Sequence, residues 1–176
     1  MTRVFSAPVD FELRHHFDAS PQVVADTILD PSYQGSLDPI GPLKSRELLS
    51  QRESEGLVIR RVRCVLDVNL AGAAKAILGS SDPVWVEEST WFPEKMSWEW
   101  KVIPEVAAGI LSANGEMTLL RSGGATDRIV SGNVKVHVPF VGAAVERVIV
   151  EDVTKVYDEE AERLTRWLAD SGSPPG

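Results

Sequence analysis

The segment that most restricts this chain begins after Pro139. From there to about Leu168 the spacing predicts one continuous helix. Val145, Val148, Ile149, Asp152, Val153, Val156, Leu164, Trp167 and Leu168 recur three and four residues apart. Glu146, Arg147, Glu151, Lys155, Glu159, Glu162, Arg163 and Arg166 dress the remaining faces. About 27 residues at 1.5 Å each make a rod of roughly 40 Å. The whole chain has 176 residues, and a compact domain of that size has a radius of gyration of roughly 16 Å. The helix therefore runs the full width of the molecule. Its apolar stripe needs something long and curved to lie against.

The residues upstream supply strands for that purpose. Asp10 to Phe17 alternates, with Phe11, Leu13, His15 and Phe17 on one parity and Glu12, Arg14 and His16 on the other. Ser20-Pro21 is a helix cap followed by proline at the first helical position, and Asp30-Pro31 ends that helix. Ser32 to Pro42 reads as a short helix plus loop. Leu43 to Arg52 is a weak strand, turned at Glu53 to Gly56 into a long one from Leu57. On the even parity of that long strand lie Val58, Arg60, Val62, Cys64, Leu66, Val68 and Leu70, largely apolar. Leu70 to Gly79 switches to helix formers. Val84 to Phe92 and Met96 to Ile103 return to strand. Ser112 to Arg121 and Arg128 to Val138 form a hairpin across Ser122-Gly123-Gly124.

A run of strands with segregated helices means an α+β fold with an antiparallel sheet. One alternating face on most strands means that the sheet buries mainly one side, with the long helix as its cover. A strongly curved sheet around such a helix can leave a gap at its middle, lined largely by apolar side chains. This order resembles the helix-grip fold of the START-like superfamily, which includes polyketide cyclases and lipid-transfer domains. Arg14-His15-His16-Phe17-Asp18-Ala19-Ser20-Pro21-Gln22-Val23-Val24 is similar to that superfamily's first strand and helix. Val138-Pro139-Phe140-Val141-Gly142-Ala143-Ala144-Val145-Glu146 is similar to the entry of its C-terminal helix. The combination most resembles a bacterial family of START-like proteins of uncharacterised function, over roughly residues 10 to 168. The resemblance implies about seven strands around the long helix; the length of the chain fits one domain over residues 1–170, and the Ser, Gly and Pro of the last residues predict a disordered tail over 171–176. The resemblance also implies a hydrophobic small molecule held inside the grip. It carries no catalytic signature, and fold alone does not fix function.

Composition removes other classes. Eighteen Lys and Arg face 26 Asp and Glu, a net charge of -8, so nucleic acid is a poor partner. Gly142 to Asp170 holds eight acidic and four basic residues, which assigns half of the net acidity to the solvated face of the long helix. No apolar run opens the chain at Met1 to Pro8, and none is long enough to cross a bilayer. The expectation is a soluble, cytoplasmic protein without stable membrane insertion. Oligomeric state is not legible. No Gly-x-Gly-x-x-Gly, Gly-x-x-x-x-Gly-Lys or Gly-x-Ser-x-Gly is present, so no cofactor is expected. No Cys-x-x-Cys or His-x-x-x-His is present either, and His15 and His16 point to opposite faces of a strand. No metal is expected.

The expected cavity walls are Val62, Leu66, Trp98, Trp100 and Met117 from the sheet, and Val145, Ile149, Val153 and Val156 from the helix. Cys64 shares the apolar parity of its strand, as a small buried hydrophobe. His15, also on an apolar parity, is either a polar anchor or acid–base group in the pocket or, the simpler reading, a half-buried histidine with a backbone partner or a place near the sheet edge. Trp85 and Trp91 share a parity opposite to that of Val84, Val86 and Phe92, and the pattern leaves open which of these faces looks inward. Arg60 and Glu88 sit among apolar residues of like parity. They are either a buried pair that orients a polar head group or, the simpler reading, long side chains that reach solvent. Three functions follow: binding or transport of a lipid, sterol-like or polyketide-like molecule; a cyclase or dehydrase that uses His15; or a ligand-free interaction module with a filled core. The Ala-rich Leu70 to Gly79 segment could cover a cavity mouth or simply connect two strands.

Overall fold

The computed structural model of the chain describes residues 7–66, 82–105 and 108–171. The expected helix over Leu70 to Gly79 and the tail beyond residue 171 lie outside them. Seven antiparallel strands form one curved sheet: β1 (Val9–Phe17), β2 (Leu43–Ser54), β3 (Leu57–Leu66), β4 (Val84–Phe92), β5 (Ser97–Pro104), β6 (Leu111–Ser122) and β7 (Ala125–Val136). Their spatial order is β1-β7-β6-β5-β4-β3-β2. The chain leaves β1 at one edge and passes through α1 (Pro21–Leu29) and α2 (Pro31–Gly35). It enters β2 at the opposite edge and winds back strand by strand to β1. The α1–α2 pair thus bridges the two edges of the sheet.

Local chemistry sets these elements where the alternation and cap signals put them. The Ser20 hydroxyl accepts from the Val23 N–H at the start of α1, with Pro21 in the first turn. The Asp30 side chain caps α2 in the same way through Ser32. Glu55 and Gly56 both take positive φ between β2 and β3, as a two-residue hairpin turn requires.

The last element, α3 (Gly142–Ser171), is 30 residues long and packs on β1, β7 and α1. Its C-terminal third is core. Ala161 and Leu164 are buried, and Trp167 meets the Tyr33 ring edge-on at 5.4 Å. Two acids, one buried and one partly buried, hold it to β7. Near its start Glu146, fully buried, accepts the Val136 N–H at 2.9 Å and lies 3.3 Å from Lys135 Nζ. A Cβ at Gly142 would overlap the Val136 carbonyl, so only glycine lets the helix begin this close to the strand. The solvated position expected for Glu146 is therefore wrong. It faces inward because the end of β7 offers a backbone N–H that no neighbouring strand takes.

The second acid is Glu160. Arg128 of β7, with no exposed surface, donates Nη1 to Glu160 Oε2 at 3.0 Å and Nη2 to the Tyr157 carbonyl at 3.2 Å. Its guanidinium lies against the Phe17 and Tyr157 rings, 5.3 and 5.6 Å from their centroids. A buried charge that loses its partner is more costly than the pair was favourable. Arg128→Met should therefore lower the unfolding free energy by about 3–5 kcal/mol. Adding Glu160→Gln to that variant should recover part of the loss, read by urea unfolding of both proteins. Equal stability of parent and single variant would remove Arg128 from this role.

Candidate functional site

Between its two anchors α3 stands off the sheet, and the gap is a cavity of about 640 Å³. That is within the range of small-molecule sites. Ala144, Val145, Val148, Ile149, Val153 and Val156 form its helical wall. The facing wall comes from alternate residues of the strands, because the register puts one parity of each inward. Across β5, β6, β7 and β1 one such row reads Trp100, Gly115, Gly132, Phe11. The Trp100 indole lies over both glycines, where a Cβ on either would overlap it, and its centroid is 6.1 Å from that of Phe11. Two large rings flanking two missing side chains make the floor of the cavity broad and apolar. The adjacent row carries Trp98, whose ring stacks on Trp91 at 3.9 Å.

Of the expected wall residues, Cys64, Leu66, Trp98, Trp100, Met117, Val145, Ile149, Val153 and Val156 all border this space. Val62 does not; it is packed into the core beneath α1 and α2. His15 does not border it either. Its Nδ1 accepts from Arg128 Nη2 at 3.2 Å, and its Nε2 lies 2.9 Å from Asp158 Oδ1. A guanidinium can only donate. His15 is therefore neutral, with its proton on Nε2 and shared with Asp158. Burial holds its pKa below the usual histidine value, against the pull of the Asp158 hydrogen bond. His15 braces the Arg128 clamp from the β1 side.

The inward face of β4 is that of Trp85, Glu87, Ser89 and Trp91. Glu88 consequently points outward, bonded to Lys101 at 2.9 Å and near Arg61 at 3.5 Å. It is not the partner of Arg60. Nor does Arg60 reach solvent. It is 6% exposed and donates Nη1 to the Ile28 carbonyl at the end of α1, 2.9 Å away. Among the described residues, the charged ones that border the cavity are Arg46, Arg60, Glu87, Asp152 and Glu160, with Ser89 and Tyr157 beside them. Glu87 is half-buried, and its accessible surface faces the cavity. Burial raises its carboxyl pKa, although Arg46 and Arg60 pull the other way. Burial, Glu87 and Glu160 together hold the Tyr157 phenol well above its ordinary pKa. Sequence reasoning missed Glu87, Tyr157 and Glu160. The helical signal for the latter two was present, since 149, 153, 156, 157 and 160 continue one stripe.

Among the described residues no cluster of three His, Cys, Asp or Glu side chains could hold a metal ion. No helix among them is long and apolar enough to cross a membrane.

A family model described as "Protein of unknown function (DUF2505)" matches residues 12–168. The chain belongs to this family. Among curated proteins, none matches it in sequence. Solved structures similar to it include a Thermus thermophilus protein, at 16% identity and a TM-score of 0.67 over 94% of this chain and 100% of that one. The Zhui aromatase/cyclase from Streptomyces sp. R1128 is similar at 12% identity and a TM-score of 0.68, over 96% and 100%. A START superfamily protein from Mycobacterium smegmatis is similar at 13% identity and a TM-score of 0.60, over 92% and 99%. The family member described here thus has the helix-grip fold of START-like proteins, as its first strand and helix entry suggested.

Cys64 borders the cavity, yet burial pushes its thiol pKa up to about 12, and Glu87 adds to the effect. Against its ordinary value of 9.0, the reactive thiolate is depleted on the order of a thousandfold at pH 8. Labelling with a chromogenic disulfide at that pH should be slow in the folded protein and fast in 6 M guanidinium. Rapid, stoichiometric labelling of the folded protein would mean that Cys64 is activated after all.

Proposed function

We propose that this protein binds a hydrophobic small molecule, of lipid, sterol-like or polyketide-like character, in the cavity between the sheet and α3, and holds or carries it. The observation behind this reading is the unfilled space itself. Side chains in a folded core close-pack, and an apolar gap of this size forgoes contacts that a filled core would gain. A ligand supplies them, with a drive of about 25 cal/mol per Å² of apolar surface buried. The likeness to START superfamily and aromatase/cyclase structures supports the fold on which this rests. The expected wall residues Trp98, Trp100, Met117, Val145, Ile149, Val153 and Val156 would contact the apolar body of the ligand.

A second reading, catalysis of the cyclase or dehydrase kind, is favoured by one observation. Glu87 and Tyr157 both face the cavity, and burial favours the protonated form of each. Such groups can donate protons to a bound carbonyl. In this reading they replace His15, which is already engaged by Arg128 and Asp158.

The test fills the space. Ala113 lies on β6 and borders the cavity. Ala113→Phe puts an aromatic ring into it from a buried strand position. The parent should enhance the fluorescence of an apolar naphthalene sulfonate probe and quench Trp98 and Trp100 as it binds. The variant should melt at an equal or higher temperature and bind the probe roughly tenfold or more weakly. Unchanged probe affinity in a folded variant would place binding elsewhere and remove the basis for this function.

A further inference from the structure

The cavity is apolar along most of its length and charged at the end next to α1 and α2. Two of the acids that border it are already neutralised. Glu160 is paired with Arg128 at 3.0 Å, and Asp152 with Lys155 at 3.0 Å. That leaves Arg46, Arg60 and Glu87. Arg46 commits its Nη1 and Nη2 to the Gln34 carbonyl and side-chain oxygen, at 3.3 and 2.7 Å. Arg60 donates to the Ile28 carbonyl, which is a dipole at the end of α1 and not a charge. Among the described residues no carboxylate lies within 4 Å of either guanidinium. Glu87 is near enough to both to feel their charge and is bonded to neither. Two cations therefore share one carboxylate that is itself reluctant to ionise. A buried positive charge without a counter-ion is costly, and this one faces an empty space.

Resting on the ligand-binding reading, we propose that the molecule taken into the cavity is an amphiphile whose polar end is a carboxylate, seated against Arg60 and Arg46 beside Glu87. The planar fork of Arg60 suits a carboxylate, and a charge-assisted bond is the strong kind. Glu87 in its protonated form would donate to the same head group. The apolar body then lies over Trp98, Trp100 and Val153. The preference has a definite sign. An ionised acid loses more hydration on entering than an alcohol of the same chain length, so without a partner it binds more weakly. With Arg60 as partner the order reverses.

The experiment displaces the bound naphthalene sulfonate probe at pH 7.5 with straight-chain acids of eight, twelve and sixteen carbons and with the matching alcohols. Each acid should compete about tenfold or more better than its alcohol. Arg60→Met should abolish that ratio by weakening the acids far more than the alcohols, and Arg60→Lys should retain part of it. If Arg60→Met does not fold, an acid-to-alcohol ratio in Arg60→Lys equal to that of the parent overturns the role of Arg60. Equal binding of acid and alcohol by the parent overturns the head-group assignment and leaves the cavity reading standing. An acid preference that survives in both folded Arg60 variants overturns the role of Arg60. Displacement by neither series overturns the amphiphile and, if the probe itself does not bind, the reading beneath it.

Discussion

One buried guanidinium fixes the relation between helix and sheet. Arg128 sits on β7 without exposed surface, and its contacts reach two other elements. Glu160 and the Tyr157 carbonyl belong to α3, the His15 ring nitrogen and the Phe17 ring to β1. A charge in that position does not tolerate a helix shifted by one residue, since its carboxylate would be lost and its desolvation left uncompensated. The neutral tautomer of His15 follows from the same constraint. So does the inward turn of Glu160, which would otherwise be an ordinary member of an acidic helix.

A second fixed point, Glu146 on the Val136 N–H, pins the other end of the helix. The two anchors are roughly 21 Å apart along α3 at 1.5 Å per residue. Beyond Glu160 the helix packs into the core through Ala161, Leu164 and Trp167. Between the anchors it spans a sheet whose middle row carries two glycines under Trp100. The helix is tied at both ends, and on the sheet the Trp100 ring occupies the places where side chains at 115 and 132 would stand. The cavity is the space left by those two facts. An interaction module without a ligand would be expected to have filled it.

The long helix, the order of the strands and the inward parity of β3 were legible because each is a period, repeated over many residues and enforced by burial. The helix-grip resemblance rested on Arg14 to Val24 and Val138 to Glu146, which lie where the sheet edge and the helix entry are found. The site was legible only where its residues obeyed those periods. Trp98, Met117 and Val153 did. Glu87 did not, because β4 has tryptophans on one parity and valines on the other, and a local pattern could not choose between them. The charged residue on the other parity, Glu88, points outward to Lys101 and Arg61. Long side chains such as Arg60 usually reach solvent, yet this one is buried and donates to the Ile28 carbonyl at the end of α1. Glu146 and His15 share a feature that the sequence does not display. Each owes its position to a partner that local periodicity does not register, the Val136 N–H for one and Arg128 with Asp158 for the other. Gly115 and Gly132 carry a similar lesson, since their meaning depends on the ring of Trp100 on a neighbouring strand.

The helix and sheet enclose a largely apolar cavity of about 640 Å³. Native mass spectrometry of the protein as purified, before and after incubation with an apolar amphiphile, tests most directly whether another molecule occupies it. The account predicts one small molecule bound per chain, either carried through purification or taken up on incubation. It should be released on unfolding and identified by extraction. A mass equal to the polypeptide alone in both cases, from a protein that is folded by circular dichroism, would contradict it.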